Sequence, residues 1–246
     1  MSSGEGVASK TQKMGIMKKI IILHGWAYET EKWKNFVDAL KSNKVSVELL
    51  KIPGLTEYID RPWKLEDFVE WLHVKVTQQK DDVILLGHSN GGRIALSYCL
   101  RYPKTVKKLV ILDSAGVYHN ELPIRIKRAV FKTIAKIGRK FTKSEKLRLL
   151  LYKLTHERDY AQASEFSRDT MKNMINVDLA SQLPTLKVST LIMWGECDVT
   201  TPYKDGKLMH SLIPNSQLLT ISGARHSPQF THTDEVCKAI LNFINP

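Results

Sequence analysis

Short runs of consecutive apolar residues alternate along the chain with stretches whose apolar positions recur every three or four residues. The short runs are Lys18–Leu23, Val45–Ile52, Val83–Leu86, Val106–Leu112, Val188–Trp194 and Gln217–Ile221. A continuous run of this length, without polar alternation, suits a strand buried on both faces of a parallel sheet. Between the runs, Trp33, Phe36, Val37 and Leu40 mark a helix over 32–42. Leu65, Phe68, Val69, Leu72 and Val76 mark another over 65–79, with Glu66 and Asp67 in its first turn. Further helices are predicted from the turn at Ser89 to about Arg101, from Tyr203 to Leu212, and from Asp234 to Ile244. This alternation predicts an α/β fold, with a mostly parallel sheet of about six strands flanked by helices.

The alternation stops between 117 and 183, where no strand pattern appears. Ile126, Val130, Ile134 and Ile137 form one helical stripe there, and Leu147, Leu150, Leu151 and Leu154 form another. The predicted organisation is therefore a core made of 18–116 and 184–246, interrupted by a helical lid at 117–183. Such an insertion would sit over the carboxyl ends of the strands, where open α/β sheets bind ligands. Residues 1–17 are polar, carry Lys10 and Lys13, and lack the apolar centre of a signal peptide; they read as a disordered leader or a cloning remnant.

Charge changes this picture in one place. The chain of 246 residues has a formal net charge of +12. Eleven Lys or Arg and a single acid, Glu145, fall between Arg125 and Lys153, so this window holds +10 of it. The basic faces are expected to point outward from the lid; peripheral membrane contact through them is the alternative. Nucleic-acid binding has charge in its favour but no recognition motif, and none is expected. Hydrophobic residues make up 43% and charged residues 25%, as in ordinary globular proteins. No run of eighteen apolar residues exists to span a membrane. Cys99, Cys197 and Cys237 have neither metal spacing nor an even framework, so a cytoplasmic setting is expected.

Candidate chemistry lies at the ends of the predicted strands. Gly87-His88-Ser89-Asn90-Gly91 fits Gly-x-Ser-x-Gly, in which a serine is forced onto a tight strand-to-helix turn. The first strand ends in His24-Gly25-Trp26, the fifth in Gly195-Glu196-Cys197-Asp198, and the sixth runs into Gly223-Ala224-Arg225-His226. Ser89, Asp198 and His226 can thus converge on one sheet edge. A serine hydroxyl becomes a nucleophile when an imidazole takes its proton, and the imidazole needs a carboxylate to fix its tautomer. Asp113, after the fourth strand, is a competing acid, and His232 a competing base. His24 reads as a brace for its loop, with a base as the alternative; His88 reads as packing. His73, His119, His156 and His210 read as structural or exposed, and Cys197 as a buried, passive thiol.

These pieces, in this order, resemble the α/β-hydrolase superfamily from about Lys18 to the end of the chain. The resemblance implies Ser89 as nucleophile, Asp198 as triad acid, His226 as general base, and the N–H groups of Trp26 and Asn90 as oxyanion-hole donors. It implies a serine esterase acting on a small acyl substrate, with no cofactor and no metal. A carbon–carbon bond hydrolase or lactonase using the same triad, and a non-catalytic binding protein, are the alternatives. Substrate-binding residues and oligomeric state stay unknown at this point. The sequence departs from the superfamily in four places, one being that the first two strands common in larger members are absent. Pro53-Gly54-Leu55-Thr56-Glu57 replaces a frequent Asp-x-x-Gly-x-Gly loop, Arg225 precedes His226 where Gly is common, and Asn90 stands where Met or Gln is frequent.

Overall fold

The computed structural model describes residues 18–27, 30–118 and 165–245. Six strands form one sheet: β1 (Lys18–Leu23), β2 (Ser46–Leu49), β3 (Asp82–His88), β4 (Lys108–Leu112), β5 (Ser189–Gly195) and β6 (Ser216–Ile221). Their order is β2-β1-β3-β4-β5-β6, and every pairing is parallel. Around them lie α1 (Lys34–Lys41), α2 (Leu65–Thr77), α3 (Asn90–Arg101), α4 (Glu165–Ile175), α5 (Tyr203–Leu212), α6 (Pro228–Thr231) and α7 (Thr233–Ile244). The six-stranded α/β architecture expected from the apolar runs is the one observed.

Alternate side chains of each strand point to opposite faces, and both faces are covered. Ile21, Leu23, Leu85, Leu109, Ile111, Ile192 and Trp194 pack with α2, α3 and α5 in one apolar layer. Ile20, Ile22, Ile84, Leu86, Val110, Leu112, Leu191 and Met193 pack with α1 and α7 in the other. This two-sided burial is why the strands read as unbroken apolar runs.

The edge strand is where the reading overshoots. The run at Val45–Ile52 yields only Ser46–Leu49, whose residues are all partly exposed. β2 has a single neighbour, β1, and Pro53 has no N–H to extend the ladder. The chain leaves the sheet there: Leu55, Thr56 and Glu57 all donate to the Ile52 carbonyl in a tight turn. The helix expected over 32–42 opens as a short 3-10 turn, Glu31–Trp33, before α1 begins.

The stripes Ile126–Ile137 and Leu147–Leu154 and the basic window lie outside the described residues. Of the expected lid, 117–118 and 165–183 are described, and 165–175 form α4. Among the described residues no helix is long and apolar enough to cross a membrane.

The sheet order reverses direction between β1 and β3, which opens a crevice at their carboxyl ends. The elbow fills that point with extreme economy of space. A Cβ added to Gly91 would lie 2.1 Å from the Leu23 carbonyl oxygen, in β1. That neighbour is ladder backbone and has no free rotation by which to yield. Gly91→Ala is therefore expected to lower unfolding stability by about 2 kcal/mol or more, the range of severe overpacking. Urea denaturation followed by circular dichroism measures it, and a loss below about 0.5 kcal/mol would contradict this packing.

Candidate active site

β3 delivers Ser89 onto the first turn of α3 in a backbone conformation that L-residues rarely adopt, with φ 54° and ψ −120°. The serine N–H donates to the Leu112 carbonyl (3.1 Å), and its own carbonyl accepts from Ala115 N–H (2.9 Å) and Gly92 N–H (3.0 Å). The turn is thus held from the end of β4 as well as from its own helix. The loop after β1 presses against it, since a Cβ on Gly25 would lie 2.8 Å from the Cβ of Ser89. Trp26 follows directly, and Asn90 opens α3, where first-turn N–H groups have no intrahelical acceptor.

Three of the expected site residues meet. His226 Nε2 lies 3.0 Å from Ser89 Oγ, and His226 Nδ1 lies 2.7 Å from Asp198 Oδ2. The Asp198 side chain is fully buried, that of His226 only partly. Asp198 Oδ1 accepts from Thr200 N–H (2.7 Å) and Thr201 N–H (3.2 Å), and the Thr201 hydroxyl donates to Oδ2 (2.7 Å). Burial pushes the Asp198 pKa up, but the bond from His226, its charge, and the threonine donors outweigh this and leave it below the usual carboxylate value. Asp198 is therefore an anion, with His226 Nδ1 carrying the shared proton.

The competing residues stand elsewhere. His232 is at the junction of α6 and α7, where its Nδ1 pairs with the Thr231 hydroxyl (2.8 Å). Asp113 sits at the end of β4 with a left-handed φ of 44°, fully buried. Its Oδ1 accepts from Gly195 N–H (2.8 Å), and its Oδ2 has no hydrogen-bond partner. Burial pushes its pKa up to about 8, against the pull of the Gly195 bond, so it is mostly protonated at neutral pH.

His24 and His88 have specific work. His24 Nδ1 donates to the Gly25 carbonyl (2.7 Å), leaving Nε2 to face the Thr56 hydroxyl at 3.3 Å. That pairing braces the first loop against the unusual Pro53–Glu57 turn, as expected of a loop brace. His88 does more than pack: its Nε2 donates to the His226 carbonyl (2.7 Å), while its ring meets Trp33 and His226. Burial pushes the His88 pKa down to about 3, so the ring stays neutral. Its ring, the Asp113 carboxyl and His226 bring metal-ligand atom types within 4.8 Å of one another. Both His226 nitrogens are already engaged, by Ser89 and Asp198, so this set fits a metal poorly. Arg225 is exposed, so its charge beside His226 is screened by solvent. His73 stacks on Tyr102 and His210 pairs with Ser216 at the surface, whereas His119 and His156 lie outside the described residues. Cys197 is exposed.

With this geometry in view, the comparison with known proteins is direct. A family model for the α/β hydrolase fold matches residues 18–233. The chain belongs to the α/β-hydrolase family. A pimeloyl-(acyl-carrier protein) methyl ester esterase of Shewanella woodyi is 24% identical to it over 258 residues, covering 95% of this chain and 96% of that protein. One of the same name from Yersinia pseudotuberculosis is 26% identical over 251 residues, covering 91% and 92%. Among solved structures, a bromoperoxidase from Bacillus anthracis superposes with a TM-score of 0.71 at 25% identity, covering 94% of this chain and 92% of that one. Differently named activities share this α/β-hydrolase scaffold, so the substrate must be argued from the site.

Two residues near the site escaped the sequence reading: Thr201, which completes the shell of Asp198, and Arg93, which is buried on α3 and bonded to Asn90. Arg93 is the one Lys, Arg, Asp or Glu between Val83 and Leu100, a signal that a buried cation was to be expected there.

The ionisation of Asp113 has a measurable consequence. Unfolded, it loses its proton near pH 4; folded, near 8. The folded state binds more protons between these values, so this group costs stability as pH rises from about 4 to about 8. Asp113→Asn keeps the Gly195 acceptor without the charge. Its stability relative to wild type is expected to rise from pH 5 to 8 by roughly 1 kcal/mol per pH unit, read by denaturant titration across that range. A pH-independent difference would show that Asp113 ionises normally.

Proposed function

We propose that this α/β hydrolase is a serine esterase that cleaves a small carboxylic ester through an acyl-enzyme. The observation that carries the reading is the continuous relay Ser89 Oγ–His226 Nε2 (3.0 Å) and His226 Nδ1–Asp198 Oδ2 (2.7 Å). In it, Ser89 is the nucleophile, His226 the general base and Asp198 the acid that orients the imidazole.

Ser89 Oγ attacks the ester carbonyl while its proton passes to His226 Nε2. The anionic Asp198 stabilises the imidazolium that results, and the carbonyl oxygen becomes an oxyanion received by the N–H groups of Asn90 and Trp26. Collapse expels the alkoxide, which takes the proton from His226 and leaves as the alcohol. Water then enters, gives its proton to the same nitrogen, and attacks the acyl-enzyme. The second collapse releases the acid and returns the proton to Ser89. Chemically, the residues of the relay suffice for each of these transfers.

The relatives are named as methyl ester esterases, which supports a small alcohol as leaving group. In this reading residues 117–183 cap the site. Tyr118 N–H donates to Asp178 Oδ1 (3.3 Å), and Leu179 N–H donates to the Gly116 carbonyl (2.8 Å). The insertion therefore leaves and rejoins the core at one point, just beyond β4, as a cap over the strand ends would.

Labelling with a fluorophosphonate probe is expected for the wild type and lost in Ser89→Ala. On a p-nitrophenyl ester, Asp198→Asn is expected to lower kcat by about 10⁴-fold, as loss of the orienting carboxylate does. Asp113→Asn is expected to lower it far less. A folded wild type that stays unlabelled would remove the esterase reading, and a reversal of the two aspartate effects would move the acid to Asp113.

A further inference from the structure

Arg93 is buried to within 5% of full coverage and has no ion-pair partner among the described residues. Its one hydrogen bond among the described residues runs from Nη1 to Asn90 Oδ1 (3.2 Å), and its Nε is buried without an acceptor. Asn90, 6% exposed, is in the same condition: its Oδ1 is used by Arg93, while its Nδ2 donor is buried and unpartnered. Two neighbouring side chains thus present orphaned donors, one of them on a cation.

This arrangement is expensive for the protein alone. Buried charges are ordinarily paired, and an unsatisfied donor loses its water without replacement. Burial lowers the Arg93 pKa to about 10, with Asp178 pulling the other way, so the guanidinium remains charged at neutral pH. Asp178 is exposed and occupied by the Tyr118 and Ala180 N–H groups. Asn90 follows Ser89 directly and opens α3, and Arg93 stands three residues on in the same first turn, joined to it by the Nη1–Oδ1 bond. A carboxylate is the group that fits: it supplies acceptors for both orphaned donors and neutralises the cation, and guanidinium is the side chain best shaped to hold it.

We infer that Arg93 and Asn90 form a subsite for a carboxylate on the substrate, so that the preferred esters carry a second, free acid group on the acyl chain. This rests on the esterase reading for its chemistry, but binding alone tests it. Monomethyl adipate and methyl hexanoate differ by a terminal carboxylate in place of a methyl group. Calorimetric titration of both into Ser89→Ala is expected to show tighter binding of the adipate ester. In Ser89→Ala/Arg93→Met that preference is expected to fall by roughly 30-fold or more, the loss on truncating one partner of a buried charge pair. A merely structural Arg93 would weaken both ligands together and leave their ratio unchanged. Arg93→Lys, in the same background, keeps the charge without the fork and is expected to give an intermediate ratio, which guards against misfolding of the methionine variant. Equal binding of the two esters by Ser89→Ala, or a ratio undiminished in both Arg93 variants, overturns the subsite. Hydrolysis of methyl hexanoate by the wild type reads the esterase assignment separately. Its absence beside an intact carboxylate preference would remove the reaction and leave the subsite standing.

Discussion

The strained backbone at Ser89 is the constraint around which the site is assembled. A φ of 54° with ψ of −120° costs on the order of 1–3 kcal/mol and persists only where the surroundings over-determine it. Here they do so from three sides. The Leu112 carbonyl and the Ala115 N–H hold the serine from β4, the α3 turn holds it from beyond, and the β1 loop closes on it at Gly25. Each of these supports is backbone, and the β1 and β4 supports lie at or just beyond the ends of strands buried on both faces. The burial of the sheet is therefore what aims the serine hydroxyl at His226.

The same burial sorts the ionisable groups around the site. Three of them, His24, His88 and Asp113, are driven toward their neutral forms by loss of water. Asp198 escapes because four donors converge on its two oxygens: two N–H groups, one hydroxyl and the imidazole. One negative charge is left in a region of several titratable side chains, and it lies opposite Nδ1 of His226. Pairs of groups whose surroundings push their pKa values apart divide the work of acid and base in this way. His88 contributes by geometry rather than charge, since its bond to the His226 carbonyl fixes the backbone from which the imidazole hangs.

What the sequence shows and hides follows from the range of the interactions. The strands β1, β3, β4 and β5 are legible because burial on both faces leaves an unbroken apolar run, a local signal. The elbow is legible because its steric demands fall within five residues. The end of β2 is not, since it depends on having only one neighbour in the sheet. The order Ser89, Asp198, His226 can be read, but the partner of His88 lies 138 residues away. Likewise nothing near Asp113 in the chain reveals that one of its oxygens is left without a donor. Arg93 is the instructive case. A basic residue on a helix ordinarily reads as solvated, and only the buried apolar run Ile94, Ala95 and Leu96 that follows it argues otherwise.

The position of Arg93 also bears on how such a fold divides chemistry from selectivity. Insertions at the strand ends are the variable part of an open α/β sheet, whereas α3 is welded to the sheet by the close approaches at Gly91 and Gly92. A cation carried on the first turn of α3 is set at a fixed place relative to the nucleophile that precedes that helix. A group held there does not depend on how the insertion closes. Sites built on such elements hold their geometry better than sites on loops. With the roles proposed above, a substrate with two polar ends meets both on one turn of helix: the carbonyl at its first N–H, and the distant acid at its first buried cation.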